Sequence, residues 1–242
     1  MRPANTEGSE GPGRVHNDDV VESRLLQRWA HRLRAVPSHL VQRLSDWFLN
    51  VDTMEDSESG PMVPEFFVRD GSSDYRNHYQ STNYLYLQRI ARLLRPTPNQ
   101  SVFYDIGCGK GRVLCVMARL PFKRVVGIDL SESLCEGARR NAARMRGRVA
   151  PIDVVCADAT LADVSDGHVY FFFNPFGPPT LRTVIDNIER SLRSSPRDVT
   201  VIYYHALHED VLRATPWLEQ YHVLPTLSGM RVSFWRNRPN AS

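Results

Sequence analysis

Short apolar runs that end in a polar or acidic residue alternate with amphipathic segments along most of the chain. The runs predict seven strands, at residues 102–106, 123–129, 152–158, 169–176, 199–205, 219–224 and 230–236. Helices are predicted at residues 113–119 and 179–193, and another in the second half of residues 74–94. Strands alternating with helices indicate an α/β fold with a mostly parallel sheet covered on both faces, closed by a final antiparallel pair.

The N-terminal part of the chain lacks this alternation. Residues 1–19 are polar and are expected to form a disordered tail. Two amphipathic helices are predicted at residues 20–36 and 38–51, and residues 52–65 are acidic and resemble a linker. The main domain is then expected to span residues 66–242. The apolar faces of the two helices comprise Val21, Leu25, Leu26, Trp29 and Leu33, followed by Leu40, Val41, Leu44, Trp47 and Phe48.

This basic, tryptophan-containing helix pair allows two interpretations. It could lie on a membrane surface or clasp a partner, since arginines flank its apolar positions. Alternatively, the pair is a helical cap packed against the main domain, because arginine is also common on solvated helix faces. The cap is the expectation.

The turn after the first predicted strand is rich in glycine. It has the spacing D-x-G-x-G-x-G, with Asp105 two residues before Gly107. A dinucleotide-binding turn needs G-x-G-x-x-G, and Arg112 occupies the position of its third glycine. An acid at Asp105 would repel a pyrophosphate, whereas it suits a ligand that carries an amino group. Two further predicted strands also end in acids, Asp129 and Asp158, and a carboxylate at the tip of the second strand can take both hydroxyls of a ribose.

These strand tips resemble those of the class I, seven-β-strand S-adenosylmethionine-dependent methyltransferases, over about residues 75–235. The resemblance implies a Rossmann-like, doubly wound seven-stranded sheet with helices on both faces, and S-adenosyl-L-methionine as cofactor. It implies a ribose contact for Asp129 and an adenine contact for Asp158. The cofactor-binding residues that it implies are Asp105, Gly107, Cys108, Gly109, Gly111, Asp129, Leu130, Asp158, Ala159, Asn174 and Tyr79.

The fourth predicted strand ends in Asn174-Pro175-Phe176, which the resemblance marks as the catalytic residues. This tripeptide is similar to the [DN]-P-P-[YF] motif of amino-group methyltransferases and to a motif of the non-SET histone-lysine methyltransferases, although it has one proline where the first motif has two. In such sites the asparagine oxygen accepts a hydrogen bond from the amine. Lysine methyltransferases of this fold also carry a segment that folds over the cofactor, which makes Tyr75, Tyr79 and Thr82 lid candidates.

The acceptor expected from this motif is an amine, most readily a protein lysine. A lysine must lose its proton to attack, and an apolar collar of Phe173, Phe176 and Tyr203 would lower its pKa by desolvation. Methylation of a small-molecule or glycan hydroxyl is the alternative, with His205 as the base. A scaffold that binds the cofactor without transferring a methyl group is a third possibility.

Composition argues against several classes of protein and site but does not identify the methyl acceptor. The 242 residues are 42% hydrophobic, which suffices for a sizeable core, and a formal net charge of +3 gives no clear indication of nucleic-acid binding. The four cysteines form no C-x-x-C pair, and no metal-ligand cluster is evident. The N-terminus does not resemble a signal peptide, and no apolar run reaches the length of a transmembrane span. A cytoplasmic location is therefore expected.

Overall fold

The computed structural model describes residues 38–54, 65–69, 72–76, 79–226 and 229–238. The chain divides into two units, residues 1–41 and 42–242, and only residues 38–41 of the first are described. The predicted tail at 1–19 and helix at 20–36 lie outside the described residues, as does most of the predicted linker.

A seven-stranded sheet forms the centre of the larger unit. It is built from β3 to β9, in the order β5-β4-β3-β6-β7-β9-β8. The first five strands in this order are parallel, and β9 runs antiparallel to both β7 and β8. The strands are β3 (Val102–Ile106), β4 (Arg124–Asp129), β5 (Ile152–Cys156), β6 (Val169–Phe173), β7 (Thr200–Tyr204), β8 (Leu218–Pro225) and β9 (Arg231–Asn237).

Six helices accompany the sheet in the described residues, and apolar clusters fill both of its faces. They are α1 (Ser38–Leu49), α2 (Tyr84–Leu93), α3 (Arg112–Met117), α4 (Glu132–Arg144), α5 (Pro178–Ser194) and α6 (Glu209–Arg213). Side chains alternate along β6, so that Phe171 packs into one cluster while Tyr170 and Phe172 pack into the other. The predicted α/β, Rossmann-like, mostly parallel fold is confirmed.

A hairpin and two helices, α4 and α6, were not predicted. A hairpin precedes the main sheet, with β1 (Glu65–Arg69) antiparallel to β2 (Ser72–Arg76). Its first strand therefore begins at Glu65, the last residue assigned to the linker. Helix α4, between β4 and β5, buries mainly small side chains such as Cys135, Ala138 and Ala142, which give a weak apolar pattern in the sequence.

The orientation of α1 differs from the expectation of an inward apolar face. Its buried residues are Gln42, Asp46 and Leu49, while Trp47 is 72% exposed and Phe48 is 59% exposed. Polar partners cause this inversion, because Gln42 and Asp46 bond to the buried guanidinium of Arg112 at the start of α3. The helix therefore packs through polar residues, while Leu44, Trp47 and Phe48 of its apolar face are exposed.

Candidate active site

The glycine turn after β3 forms the floor of the site. Gly107 and Gly109 have φ angles of +85° and +52°, in the left-handed region that glycine adopts without strain. The amides of Gly107 and Cys108 donate to the carbonyl of Ile128 at 2.8 and 3.0 Å, which fixes the turn to β4. A Cβ on Gly107 would lie 2.6 Å from Cβ of Pro175, and one on Gly109 would overlap the Tyr79 ring. The turn is thus closely covered by the two segments that face it.

Asp105 lies beneath this turn, fully buried. Its Oδ2 has no hydrogen-bond partner among the described residues. Burial, and secondly the charge of Asp129, raise the pKa of the Asp105 carboxyl well above its usual range. A buried oxygen without a partner costs free energy, so this site is suited to a ligand that brings a donor or a positive charge.

Asp129, at the end of β4, is held in one orientation by the backbone. Its Oδ2 accepts from the Gly109 amide at 2.8 Å, and its Oδ1 accepts from the Ser131 amide at 3.0 Å. Its pKa is nevertheless raised, because burial outweighs these hydrogen bonds. Each carboxylate oxygen can accept a further hydrogen bond, so the side chain can bind a pair of ligand hydroxyls.

Two cavities open at the carboxyl ends of the parallel strands, and they share Gly107, Asp129 and Pro175. The larger has a volume of about 350 Å³ and the smaller about 100 Å³. Of the residues predicted to bind the cofactor or the acceptor, the larger cavity is also lined by Tyr79, Asp105, Cys108, Gly109 and Asn174. The smaller is also lined by Leu130, Asp158, Ala159 and Phe176. Gly111 lines neither of them and begins α3 with a φ of +77°.

The smaller cavity is mainly apolar and carries an acid at its edge. Ile128, Leu130 and Phe176 supply apolar surface. The Oδ1 of Asp158 accepts from the amide and the hydroxyl of Thr160 at 2.9 and 2.7 Å, which orients the carboxylate. A flat heterocycle with an exocyclic amino group matches this combination, because the ring can pack on the apolar wall while the amino group donates to the acid.

Asn174 directly follows β6 and has a φ of +41°, so the chain leaves the sheet one residue after Phe173. The predicted strand at 169–176 is therefore shorter than expected. The Asn174 side chain is buried, and its Oδ1 accepts from the hydroxyl of Tyr203 at 2.9 Å. Pro175 lines both cavities, which places this bend where the two spaces meet.

The three aromatic residues of the expected collar occupy different places. Phe173 lines the larger cavity, beside His205, with 6.3 Å between their ring centroids. Phe176 lines the smaller cavity, and its ring packs against Phe172. Tyr203 is fully buried and lines neither cavity, but its hydroxyl orients Asn174.

Two of the three predicted lid residues line the larger cavity, and the third lies in the hairpin. Tyr79 and Thr82 line the larger cavity, and the Tyr79 hydroxyl donates to the carbonyl of Thr53 at 2.6 Å. Tyr75 lies in β2, where its carbonyl accepts from the Gly177 amide and its hydroxyl bonds to Nε2 of His208. The hairpin is thus fixed to the loop that contains the Asn-Pro-Phe sequence.

Arg112 is a site residue that was not predicted. It lines the larger cavity and is 2% exposed. Its guanidinium donates to Oε1 of Gln42 at 3.0 Å and to Oγ1 of Thr53 at 2.7 Å, and it lies 3.7 Å from Asp46. Its position at the end of the glycine turn, in the first turn of a helix that is otherwise apolar, was the only indication in the sequence.

The sequence matches a family model described as a methyltransferase domain over residues 103–195, which is less than half of the chain. No curated protein matches the chain significantly. An RNA methyltransferase from Salinibacter ruber, solved with S-adenosyl-L-homocysteine, is 22% identical, with a TM-score of 0.50 over 67% of this chain and 97% of that one.

Two further solved structures share the fold. A SAM-dependent methyltransferase from Aquifex aeolicus is 9% identical, with a TM-score of 0.51 over 63% of this chain and 89% of that one. The ribosomal protein L11 methylase of Lactobacillus delbrueckii subsp. bulgaricus is 18% identical, with a TM-score of 0.50 over 66% and 81%.

The residues that line the two cavities fit the cofactor that a methyltransferase domain binds. The buried Asp105 oxygen, the oriented Asp129 carboxylate and the acid-edged apolar cavity fit the amino group, ribose and adenine of S-adenosylmethionine. The larger cavity borders the glycine turn and provides space for such a ligand. The domain match, the fold and this fit together confirm that the protein is an S-adenosylmethionine-dependent methyltransferase.

Proposed function

We propose that this methyltransferase acts on an amino nitrogen and that its acceptor is a protein lysine. The observation that carries the proposal is the position of Asn174. Its buried amide borders the larger cavity beside Phe173, and Asp105 and Asp129 line the same cavity. The Tyr203 hydroxyl donates to Oδ1 at 2.9 Å, which holds the amide at the border of this cavity, where an amine would enter.

The protein's part in this reaction is to bind, orient and exclude water. The cofactor supplies an activated methyl group when it is bound. Asp129 and Asp158 would hold its ribose and adenine, while Asn174 would orient the attacking nitrogen. Placing two reactants correctly can account for roughly 7–11 kcal/mol of a barrier.

The lining of the larger cavity supports a neutral amine as the nucleophile. Phe171, Phe173 and Met230 present apolar surface there. A lysine ammonium that enters such a space loses hydration, which lowers its pKa and favours the neutral form that can attack. Aromatic faces also attract the cation as it enters.

A second candidate, methylation of a hydroxyl, is favoured by His205. This residue lines the larger cavity and is half-buried, and burial lowers the pKa of its imidazole from 6.5. It is therefore mainly neutral near pH 7 and can accept a proton from a hydroxyl.

An assay with labelled cofactor distinguishes an amine acceptor, a hydroxyl acceptor and a non-catalytic scaffold. The protein is incubated with methyl-labelled S-adenosylmethionine and a heat-treated lysate, with Asp129→Ala protein as the control for methyltransferases of the lysate. We expect the label in the protein fraction, on lysine after hydrolysis, and its loss with Asn174→Ala. Label in small molecules that depends on His205 and not on Asn174 would instead support the hydroxyl acceptor. Cofactor binding without transfer to either fraction would support the non-catalytic scaffold.

A further inference from the structure

Helix α1 presents large apolar side chains to solvent. Leu44, Trp47 and Phe48 are 54%, 72% and 59% exposed and lie on one face at helical spacing. Val149, in the loop after α4, is a fourth exposed apolar residue, at 64%. The opposite face of the helix is fixed through Asp46 and Gln42, so the helix cannot rotate to bury its aromatic residues without breaking the bonds to Arg112.

Arginines surround these apolar residues. The Arg119 guanidinium lies 5.9 Å from the centre of the Phe48 ring, and Arg43 is one turn before Trp47. The loop after α4 bonds to the end of α1, since the Arg146 amide donates to the Leu49 carbonyl at 2.8 Å. The side chain of Asn50 donates to the carbonyl of Arg144 at 2.8 Å. We call this surface the outer face; it comprises Arg43, Leu44, Trp47, Phe48, Arg119, Arg144, Arg146, Arg148 and Val149.

The arginines of the outer face are not neutralised by acids in the described part of the chain. All five are exposed, and none of them forms an ion pair with a described residue. Arg144 and Arg148 instead donate to uncharged oxygens, Oδ1 of Asn141 and the carbonyl of Ala142. The outer face therefore combines exposed aromatic rings with five arginines that form no ion pair with a described residue.

We propose that the outer face binds the surface of an anionic phospholipid membrane. Tryptophan and phenylalanine on a helix lying in the plane of the surface insert between headgroups, while flanking arginines pair with lipid phosphates. The arginines lie beside the aromatic residues, on the helix and on the loop packed against its end, as binding to an extended negative surface requires. In the described residues no helix is long and apolar enough to cross a bilayer.

This contact would place a wall of the active site at the membrane. The buried face of α1 holds Arg112, which lines the larger cavity, while the other face carries the aromatic residues. The membrane contact is independent of the acceptor, and its test does not require methyl transfer.

Vesicle flotation of the full chain tests the proposal. Vesicles contain phosphatidylcholine alone, or phosphatidylcholine with about one third phosphatidylglycerol. We expect binding to the anionic vesicles only, with the bound fraction falling steeply when salt is raised. The double variant Trp47→Ser, Phe48→Ser should reduce the partition coefficient at least tenfold, and Arg119→Gln with Arg146→Gln should remove the preference for anionic lipid.

The matched controls change similar residues elsewhere. Leu161 is 85% exposed and Arg182 is also exposed, so Leu161→Ser with Arg182→Gln should leave partitioning unchanged. All variants should keep the wild-type melting temperature within a few degrees and still bind S-adenosylhomocysteine. Absence of vesicle binding, or undiminished binding by the aromatic double variant, would overturn the proposal. Loss of a dimer or of RNA binding in that variant, without vesicle binding, would assign the outer face to those partners instead.

Discussion

Asp129 and Asn174 are both polar residues at strand ends, but they border different parts of the cavities. Asp129 lines both cavities, whereas Asn174 lines only the larger one. Hydrogen bonds to a charged group contribute about 1.5–3 kcal/mol each, and about 1.4 kcal/mol corresponds to one decade in affinity. Asp129→Ala should therefore weaken S-adenosylhomocysteine binding at least roughly tenfold in calorimetry.

Asn174→Ala should behave differently. We expect cofactor affinity to stay within a few-fold, while single-turnover methyl transfer falls by roughly a hundredfold, as with other positioned polar groups. Tyr203→Phe removes only the hydroxyl that orients Asn174 and should give a smaller loss of the same kind. Equal loss of cofactor binding in Asp129→Ala and Asn174→Ala would make Asn174 a cofactor or folding residue. Full activity of Asn174→Ala would remove the basis for an amine acceptor.

Asp105 should reduce the stability of the ligand-free protein at neutral pH. Its folded-state pKa is raised, so its stabilising contribution is present in acid and is lost as pH rises through that pKa. Asp105→Asn does not titrate. We expect the variant to melt at a higher temperature than wild type at pH 8, with a smaller difference at pH 5, and to bind S-adenosylhomocysteine at least tenfold more weakly. A pH-independent difference in melting temperature would contradict this assignment.

At the level of residues, the positions of the three acids relative to the predicted strands were sufficient to predict that they lie at one edge of the sheet. Asp105 is the penultimate residue of β3, Asp129 ends β4 and Asp158 follows β5, and parallel strands align their carboxyl ends. The placement of Phe176 could not be predicted, because it depends on the positive φ of Asn174, which turns the chain toward the smaller cavity. The Arg112 guanidinium bonds to Thr53 and Gln42, which lie 59 and 70 positions away, and apolar periodicity carries no information about such pairs.

At the level of elements, α1 is attached to α3 by a buried polar network. Asp46 accepts from the Tyr84 hydroxyl at 2.5 Å and from the Thr53 amide at 2.8 Å, close to the Arg112 guanidinium. Removing one partner of a buried ion pair leaves the other charge unpaired. Arg112→Met should therefore lower the free energy of unfolding by about 3–5 kcal/mol in urea denaturation of the ligand-free protein.

An exposed ion pair provides the control for this measurement. Arg193 pairs with Glu189 on α5, where the arginine side chain is 75% exposed. Arg193→Met should change the free energy of unfolding by no more than about 0.5 kcal/mol. Similar small losses in both variants would show that the network around Arg112 does not hold α1 in place.

The elements that were missed have identifiable causes. The sequence does contain an indication of the hairpin, because Asp70-Gly71 separates two short runs and is typical of a two-residue hairpin turn. Helix α4 has Ser131 as an N-cap but buries small residues, so its periodicity is weak. The outward face of α1 contradicts the usual rule that the apolar stripe packs inward, because a polar network on the other side determines the orientation.

At the level of the whole molecule, the alternation of strands and helices was sufficient to predict the sheet. The final antiparallel pair, β8 and β9, was predicted as well. The division into a tail at 1–19, an extension at 20–65 and a domain at 66–242 remains a proposal. Contacts place residues 42–54 in one unit with the sheet, because α1 supplies partners to Arg112.

We infer that the glycine turn and the three acids bind S-adenosylmethionine rather than a dinucleotide. Calorimetric titration of the wild-type protein with S-adenosylhomocysteine, and separately with NAD, tests this most directly. We predict saturable binding of S-adenosylhomocysteine and no heat of binding with NAD, since Arg112 occupies the position of the third glycine of a dinucleotide-binding turn. Tight binding of NAD without a response to S-adenosylhomocysteine would contradict the account.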